Sequence, residues 1–141
     1  MKIKFRKLHK LAQAPVYKTS GACAADVSIY SSVTIKPNET AFLKTGLAFE
    51  IPQGFYMAIY PRSSLCLKQH LVMPHSVGLL DSDYRDELMI VYKNIGTEAV
   101  TFEAGERVAQ LVIQHYEQAE YLEGDLNETE RKGGFGSTGK I

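Results

Sequence analysis

The chain has 141 residues, the usual length of one compact domain. Its 16 basic and 16 acidic side chains cancel, and four histidines remain. A neutral chain lacks the long-range positive field that holds a polynucleotide, so we expect no nucleic-acid polymer as partner. Hydrophobic residues make up 45% of the chain. No apolar run reaches the ~20 residues that cross a bilayer, so we expect a folded protein without a membrane partner.

Short runs in which apolar and polar residues alternate predict β-strands along most of the chain. In chain order these runs are 3–7, 47–51, 55–59, 88–92, 100–102 and 108–113. Pro, Asn and Gly lie between the runs and favour turns there. One short helix or turn fits near residues 64–69. We therefore predict an all-β sandwich or jelly roll.

Two cysteines, Cys23 and Cys66, are too few for a disulfide framework, which favours a reducing compartment. We expect both to be small buried residues. The basic residues 1–7 lead into no apolar stretch, so they do not resemble a signal peptide.

A loop-like run at 81–87 carries four carboxylates in seven residues. Such density favours metal binding or general-base chemistry, and a solvated hairpin turn is the alternative. Tyr84 lies in the same run, where an aromatic ring beside a carboxylate can pack on a sugar.

Arg62, Ser63 and Ser64 directly follow a predicted strand. A guanidinium group and paired hydroxyls can bind phosphate oxygens, whereas an ordinary turn is the alternative. No Gly-x-Ser-x-Gly pattern surrounds the serines, so we do not expect a serine nucleophile. Cys66, His70 and His75 lack a second ligand pair, so we do not expect a zinc site.

The last 25 residues differ in composition from the rest. Residues 117–130 carry six acidic side chains and no Lys or Arg, and four glycines fall within 133–139. So many glycines do not build a helix or sheet, so we predict a flexible arm over 117–141 that orders on a ligand or a neighbouring subunit. A plain disordered tail is the alternative.

The glycine-rich segment nearly matches a phosphate-binding loop, but Ile141 stands where Ser or Thr is required. Its backbone amides, the hydroxyls of Ser137 and Thr138 and the flanking cations Arg131 and Lys140 suit a triphosphate. Phe135 is an aromatic that can lie flat on a nucleobase.

Five segments, in this order, resemble the motifs of the trimeric deoxyuridine triphosphate nucleotidohydrolases (dUTPases). They are Ala24-Ala25-Asp26, Arg62-Ser63-Ser64-Leu65, the run 78–85, the run 107–113 and the run 133–139. The resemblance implies an all-β, jelly-roll (β-clip-like) subunit in a homotrimer. Residues 1–116 would form the core, and 117–141 would form an arm that closes an active site shared between subunits.

The resemblance implies hydrolysis of dUTP to dUMP and pyrophosphate by Mg²⁺-assisted in-line attack of water on the α-phosphorus. This activity limits uracil in DNA and supplies the dTMP precursor. Asp81 would be the general base, and Asp26 would act on the magnesium through water. The expected location is the cytoplasm, or the host cytoplasm or nucleus if a virus encodes the chain.

The resemblance also implies which residues bind the substrate. The hairpin backbone at about 75–86 would read the uracil edge, and Tyr84 would exclude a ribose 2′-hydroxyl. The substrate-binding residues would be Arg62, Ser63, Ser64, Gly78, Tyr84, Gln110, Arg131, Phe135, Gly136, Ser137 and Thr138. Several positions depart from the usual pattern. Ala24, Pro61 and Asp86 stand where Gly is common, and His75 stands where bacterial members often have Asn. The arm also has one residue fewer than usual between Arg131 and Phe135.

Two other interpretations stay open at this point. A dCTP deaminase, or a bifunctional deaminase–dUTPase, shares the Arg-Ser-Ser segment but lacks an arm like 133–139. A non-catalytic nucleotide-sensing protein on the same scaffold is the second. The arm and the spacing of Asp81 and Tyr84 favour the hydrolase over the deaminase. The presence of Asp81, Tyr84 and Arg62 favours it over the sensing protein.

Overall fold

The computed structural model describes residues 1–130 and 133–134. Within them, eleven β-strands and one helix follow one another along the chain. They are β1 (Lys4–Lys7), β2 (Ala25–Ser28), β3 (Val33–Ile35), β4 (Thr40–Lys44), β5 (Leu47–Glu50), β6 (Phe55–Pro61), α1 (Ser63–Gln69), β7 (Leu71–Val72), β8 (Gly78–Leu80), β9 (Met89–Asn94), β10 (Val100–Phe102) and β11 (Arg107–His115). The predicted all-β class is confirmed.

The strands pair in antiparallel fashion in four groups. The largest is a four-stranded sheet in the order β2-β11-β6-β8. A three-stranded sheet has the order β4-β9-β7, and the strand pairs β1-β5 and β10-β3 complete the set. The longest strand, β11, lies between β2 and β6, so it holds residues distant in sequence side by side.

Apolar side chains from the two larger sheets form one buried cluster. Leu43 and Ile90 enter it from the three-stranded sheet, and Ile59 and Leu111 from the four-stranded sheet. Tyr92 on β9 is fully buried, and its hydroxyl donates a hydrogen bond to the Val108 carbonyl oxygen at 2.8 Å. Burial raises the pKa of Tyr92 above its ordinary value, so the phenol stays protonated as a donor. This bond ties the two sheets together.

Each predicted run overlaps an observed strand, and the short helix or turn predicted near 64–69 is present as α1. Helix α1 ends where His70 adopts a left-handed conformation, with φ 54°. Alternation did not reveal β2, because all four of its residues are buried. Strands β3, β4, β7 and β8 were also not predicted, and β7, with two residues, is too short for a periodic signal.

The expectation that both cysteines are buried was wrong. Cys23 is exposed, because it lies in the bend that precedes β2, and Cys66 is half-buried on α1. Both are free thiols.

Beyond β11, residues 117–130 adopt neither helix nor strand, and all of their side chains are exposed. Among the helices of the described chain, none has the length and apolar character needed to span a bilayer.

Candidate active site

Asp81 and Tyr84 lie on the turn that follows β8, the edge strand of the four-stranded sheet. The Tyr84 backbone N–H donates to the Asp81 carbonyl oxygen at 3.3 Å. At the far side of the turn, the Tyr84 hydroxyl donates to the Glu87 carbonyl oxygen at 3.2 Å. These two bonds place the carboxylate and the aromatic ring on one short loop.

A cavity of about 260 Å³ opens beside this turn. His75, Gly78, Asp81 and Tyr84 line it together with apolar side chains that include Leu88. Apolar walls with a few convergent polar groups are typical of small-molecule sites. The structure therefore brings together Gly78, Asp81 and Tyr84, three of the residues that the sequence indicated.

Gly78 is closely surrounded on the wall of this cavity. A Cβ atom at this position would lie 2.9 Å from His75 Nε2 and 3.1 Å from Ile59 Cβ and Cδ1. His75 reaches it because Ser76 adopts a left-handed conformation with φ 62°, which turns the chain back toward β8. The glycine is required here by its neighbours rather than by its own φ angle.

A second group of polar residues lies on the other strands of the same sheet. The register places Asp26 on β2 opposite Gln110 on β11, and Gln110 opposite Tyr60 on β6. Arg62 follows β6 directly, so its side chain reaches the same region. The sheet thus collects residues that are up to 84 positions apart in sequence, from Asp26 to Gln110.

Two arginines surround the Asp26 carboxylate, which is only 7% exposed. Arg107 Nη1 donates to Asp26 Oδ2 at 2.6 Å, and Arg62 Nε lies 3.9 Å from Asp26 Oδ1. Arg62 Nη1 also donates to the Arg107 carbonyl oxygen at 2.9 Å. Two guanidinium groups against one carboxylate leave net positive charge, which favours an anionic ligand.

Asp26 Oδ1 is buried and accepts no hydrogen bond from the described residues. A buried carboxylate oxygen normally accepts a hydrogen bond, so this one keeps an unused capacity to accept one. No three His, Cys, Asp or Glu side chains converge as metal ligands within 1–130 and 133–134. A hard cation held here would therefore depend on Asp26, on water and on phosphate oxygens from a ligand.

Ser63 and Ser64 form the first turn of α1, after Arg62 in an extended conformation. A polar cavity of about 280 Å³ is lined by Arg62, Ser64, Gln69 and Arg107 among others. Ser63 is exposed and does not line this cavity.

The two groups of residues lie at opposite ends of β6. Leu80 pairs with Met57, so Asp81 follows at the Tyr56 end of the strand, while Arg62 follows the other end. Arg62 lies six positions beyond Tyr56 along the chain, which corresponds to roughly 20 Å along a strand. Within one chain, Asp81 and Arg62 therefore lie too far apart to contact the same phosphate.

Sequence reasoning assigned no role to Arg107, although it starts the run that carries Gln110. The signal for it was indirect, because a buried acid on β2 requires a cation and the pairing of β2 with β11 supplies one. The candidates Arg131, Phe135, Gly136, Ser137 and Thr138 lie outside the described residues.

An all-β sheet that carries a small cavity beside a carboxylate and a separate cationic pocket has the features of a nucleotide-binding protein. Comparison with known proteins identifies the family within this class. The family model for dUTPase matches residues 10–139, so this chain belongs to the dUTPase family.

Relatives align over nearly the whole chain. The deoxyuridine 5′-triphosphate nucleotidohydrolase of Nautilia profundicola is 44% identical over 142 residues, covering 99% of this chain and 100% of the relative. That of Wolinella succinogenes is 42% identical over 142 residues, covering 99% and 95%. Among solved structures, the Staphylococcus bacteriophage 80alpha dUTPase G164S mutant with dUpNHpp superimposes with a TM-score of 0.90 at 26% identity, covering 98% of each chain.

Proposed function

We propose that this protein hydrolyses dUTP to dUMP and pyrophosphate, which limits uracil in DNA and supplies the dTMP precursor. The observation that carries the proposal is the position of Asp81 and Tyr84 on the lining of one small, largely apolar cavity in a member of the dUTPase family. The reaction is an in-line attack of water on the α-phosphorus.

Asp81 is the general base in this proposal. Its carboxylate is exposed where the cavity meets solvent, so it can hold a water molecule and take its proton as the oxygen attacks phosphorus. The hydrogen-bonded turn fixes the backbone that carries this carboxylate, which matters because an attacking water is effective only in the correct orientation.

The cavity selects the base and the sugar. The hairpin backbone at about 75–86, including Gly78, hydrogen-bonds the uracil edge, and a site built on such bonds discriminates strongly against a base with a different donor pattern. The Tyr84 ring packs against the deoxyribose and leaves no space for a 2′-hydroxyl. Tyr84 is held for this role by its bond to the Glu87 carbonyl oxygen.

Arg62, Ser63, Ser64 and Gln110 bind the phosphates. The two arginines, Arg62 and Arg107, provide the positive charge beside Asp26, whose Oδ1 accepts no hydrogen bond from the described residues. That oxygen fits a Mg²⁺ ion held through water, since magnesium keeps several waters and uses few protein ligands. When bound, magnesium neutralises part of the triphosphate charge.

A homotrimer of jelly-roll subunits explains why one chain separates its two groups of residues by roughly 20 Å. Asp81 of one subunit then meets Arg62 and Asp26 of another in a shared site. The arm over 117–141 closes that site, with Phe135 over the uracil and Arg131, Gly136, Ser137 and Thr138 near the phosphates. Closure excludes water other than the nucleophile.

A pyrophosphate-release assay across dUTP, dTTP, dCTP and UTP tests the proposed function. We expect magnesium-dependent release from dUTP and little from the other three. Ammonia release from dCTP would instead identify a deaminase. A protein that binds dUTP without turning it over would identify a nucleotide-sensing role.

A further inference from the structure

Arg85 donates two hydrogen bonds to backbone oxygens near Asp81, the proposed general base. Its Nη1 atom donates to the Ser82 carbonyl oxygen at 2.6 Å and to the Tyr84 carbonyl oxygen at 2.9 Å. Both carbonyls belong to the turn that carries Asp81 and Tyr84. One nitrogen therefore clamps the backbone of the turn on which the reaction depends.

The other end of the same turn is fastened to the body of the protein. The Glu87 side chain accepts a hydrogen bond from the Gly46 backbone N–H at 2.8 Å. The Leu88 backbone N–H donates to the Leu47 carbonyl oxygen at 2.8 Å, and the Thr45 hydroxyl donates to the Leu88 carbonyl oxygen at 2.6 Å. Residues 87–88 are thus held by three bonds to the body of the protein, whereas the tip at 82–85 is held within the turn, by the two Tyr84 bonds and by the side chain of Arg85.

The surroundings of Arg85 argue against a role as a simple ion-pair partner. It lines a polar cavity of about 650 Å³ together with Asp81 and Asp83. In the described part of the chain, however, its nitrogens form no ion pair within 4.0 Å of a carboxylate. Its hydrogen bonds go to main-chain oxygens, which is how a side chain stabilises a loop conformation.

We propose that Arg85 is a positioning residue, whose guanidinium clamp on the Ser82 and Tyr84 carbonyls holds Asp81 and Tyr84 in their productive geometry. This inference rests on the proposed function for its kinetic consequence. Loss of the clamp loosens the tip of the turn. The Asp81 carboxylate then moves relative to the α-phosphorus, and the Tyr84 ring moves relative to the sugar. A displacement near 1 Å can lower the rate about 100-fold, so both turnover and sugar discrimination depend on Arg85.

The kinetic test compares three variants of the full-length protein. Arg85→Met keeps most of the side-chain length and removes the donors, and we expect kcat on dUTP to fall about 10- to 100-fold, with a smaller dUTP-over-UTP ratio of kcat/KM. Arg85→Lys retains an ammonium that can donate to both carbonyls, and we expect kcat within about fivefold of the parent. Arg6→Met is the matched control, since Arg6 lines a neighbouring groove with Arg85 and Glu50.

A double variant separates positioning from a direct phosphate contact. If Arg85 acts through Asp81, Arg85→Met adds little to the loss in kcat already caused by Asp81→Asn, because the base it positions is gone. Full additivity of the two losses, or a rise in KM with kcat unchanged, would show that Arg85 binds substrate directly and would overturn the proposal.

Amide hydrogen exchange tests the clamp without any reference to activity. In the free protein, Arg85→Met should raise exchange in a peptide covering 82–86 while a peptide covering β9 stays at the parent rate, and Arg85→Lys should restore protection. Unchanged exchange at 82–86 would refute the clamp. If the parent released no pyrophosphate from dUTP yet showed this exchange pattern, the proposed function would fail and the clamp would stand.

Discussion

Gly78→Ala tests the geometry of the cavity that we propose binds the uracil base. The new Cβ would lie 2.9 Å from His75 Nε2 and 3.1 Å from Ile59 Cβ, while non-bonded heavy atoms normally approach to about 3.5–4.0 Å. The imidazole can rotate away, but Ile59 Cβ is attached directly to the backbone of β6. The substitution therefore pushes His75 into the cavity and strains the pairing of β8 with β6.

Two opposing contributions set the change in the free energy of unfolding. Overpacking of this kind costs roughly 1–3 kcal/mol, and the lower entropy of the unfolded alanine chain offsets about 0.4–1 kcal/mol. A net loss of about 1–2 kcal/mol lowers the Tm by roughly 2–8 °C for a chain of this length. Displacement of His75 into the cavity raises the KM for dUTP by about tenfold, equivalent to ~1.4 kcal/mol of binding.

Thermal unfolding followed by circular dichroism, and Michaelis–Menten measurements of pyrophosphate release, provide the two readouts. Gly21→Ala is the matched control, because nothing lies within 4 Å of its added Cβ. Adding His75→Ala to Gly78→Ala should recover part of the lost stability. If Gly78→Ala matched the control in both Tm and KM, the close approach of His75 and Ile59 would not explain the glycine.

Three further outcomes follow from the structure. Asp81→Asn keeps the side-chain shape and should bind dUTP while kcat falls roughly 10²- to 10⁴-fold, measured by isothermal titration and pyrophosphate release; parental turnover would exclude Asp81 as the base. Truncation after Glu130 leaves every described strand in place, so we expect the circular dichroism spectrum of the parent protein. The value of kcat/KM for dUTP should fall about 100-fold, and unchanged kinetics would contradict closure by the arm. Tyr92→Phe leaves the buried Val108 carbonyl without its hydrogen-bond donor. It should lower the free energy of unfolding by about 1–3 kcal/mol, measured by urea denaturation at an unchanged m value. An unchanged denaturation midpoint would mean that this bond does not contribute to stability.

Local sequence pattern predicted much of the fold. Strands such as β6 and β11 are long enough for alternation to be visible, and α1 was expected within one residue of its start. Strand β2 escaped because a strand buried along its whole length shows no alternation. Cys23 was assigned to the interior from residue type alone, but the bend before β2 exposes it.

The candidate site likewise combines residues that the sequence indicated with contacts that only the fold reveals. The run that holds Asp81 and Tyr84 is contiguous, so sequence alone indicated that these residues act together. The partner of Asp26 could not be identified in this manner, since Arg107 lies 81 residues further along the chain. Only the pairing of β2 with β11 brings the two side chains together.

By itself, the sequence determined the all-β class, the motifs of the dUTPase family and the residues available for chemistry, because these depend on residue type and on short-range spacing. Tertiary structure alone decided that Asp81 and Arg62 stand at opposite ends of β6 and that Arg85 turns to the backbone carbonyls of its own loop. It also decided that one buried oxygen of Asp26 accepts no hydrogen bond from the described residues. Strand register and side-chain direction are set by contacts between distant parts of the chain, so no local pattern encodes them.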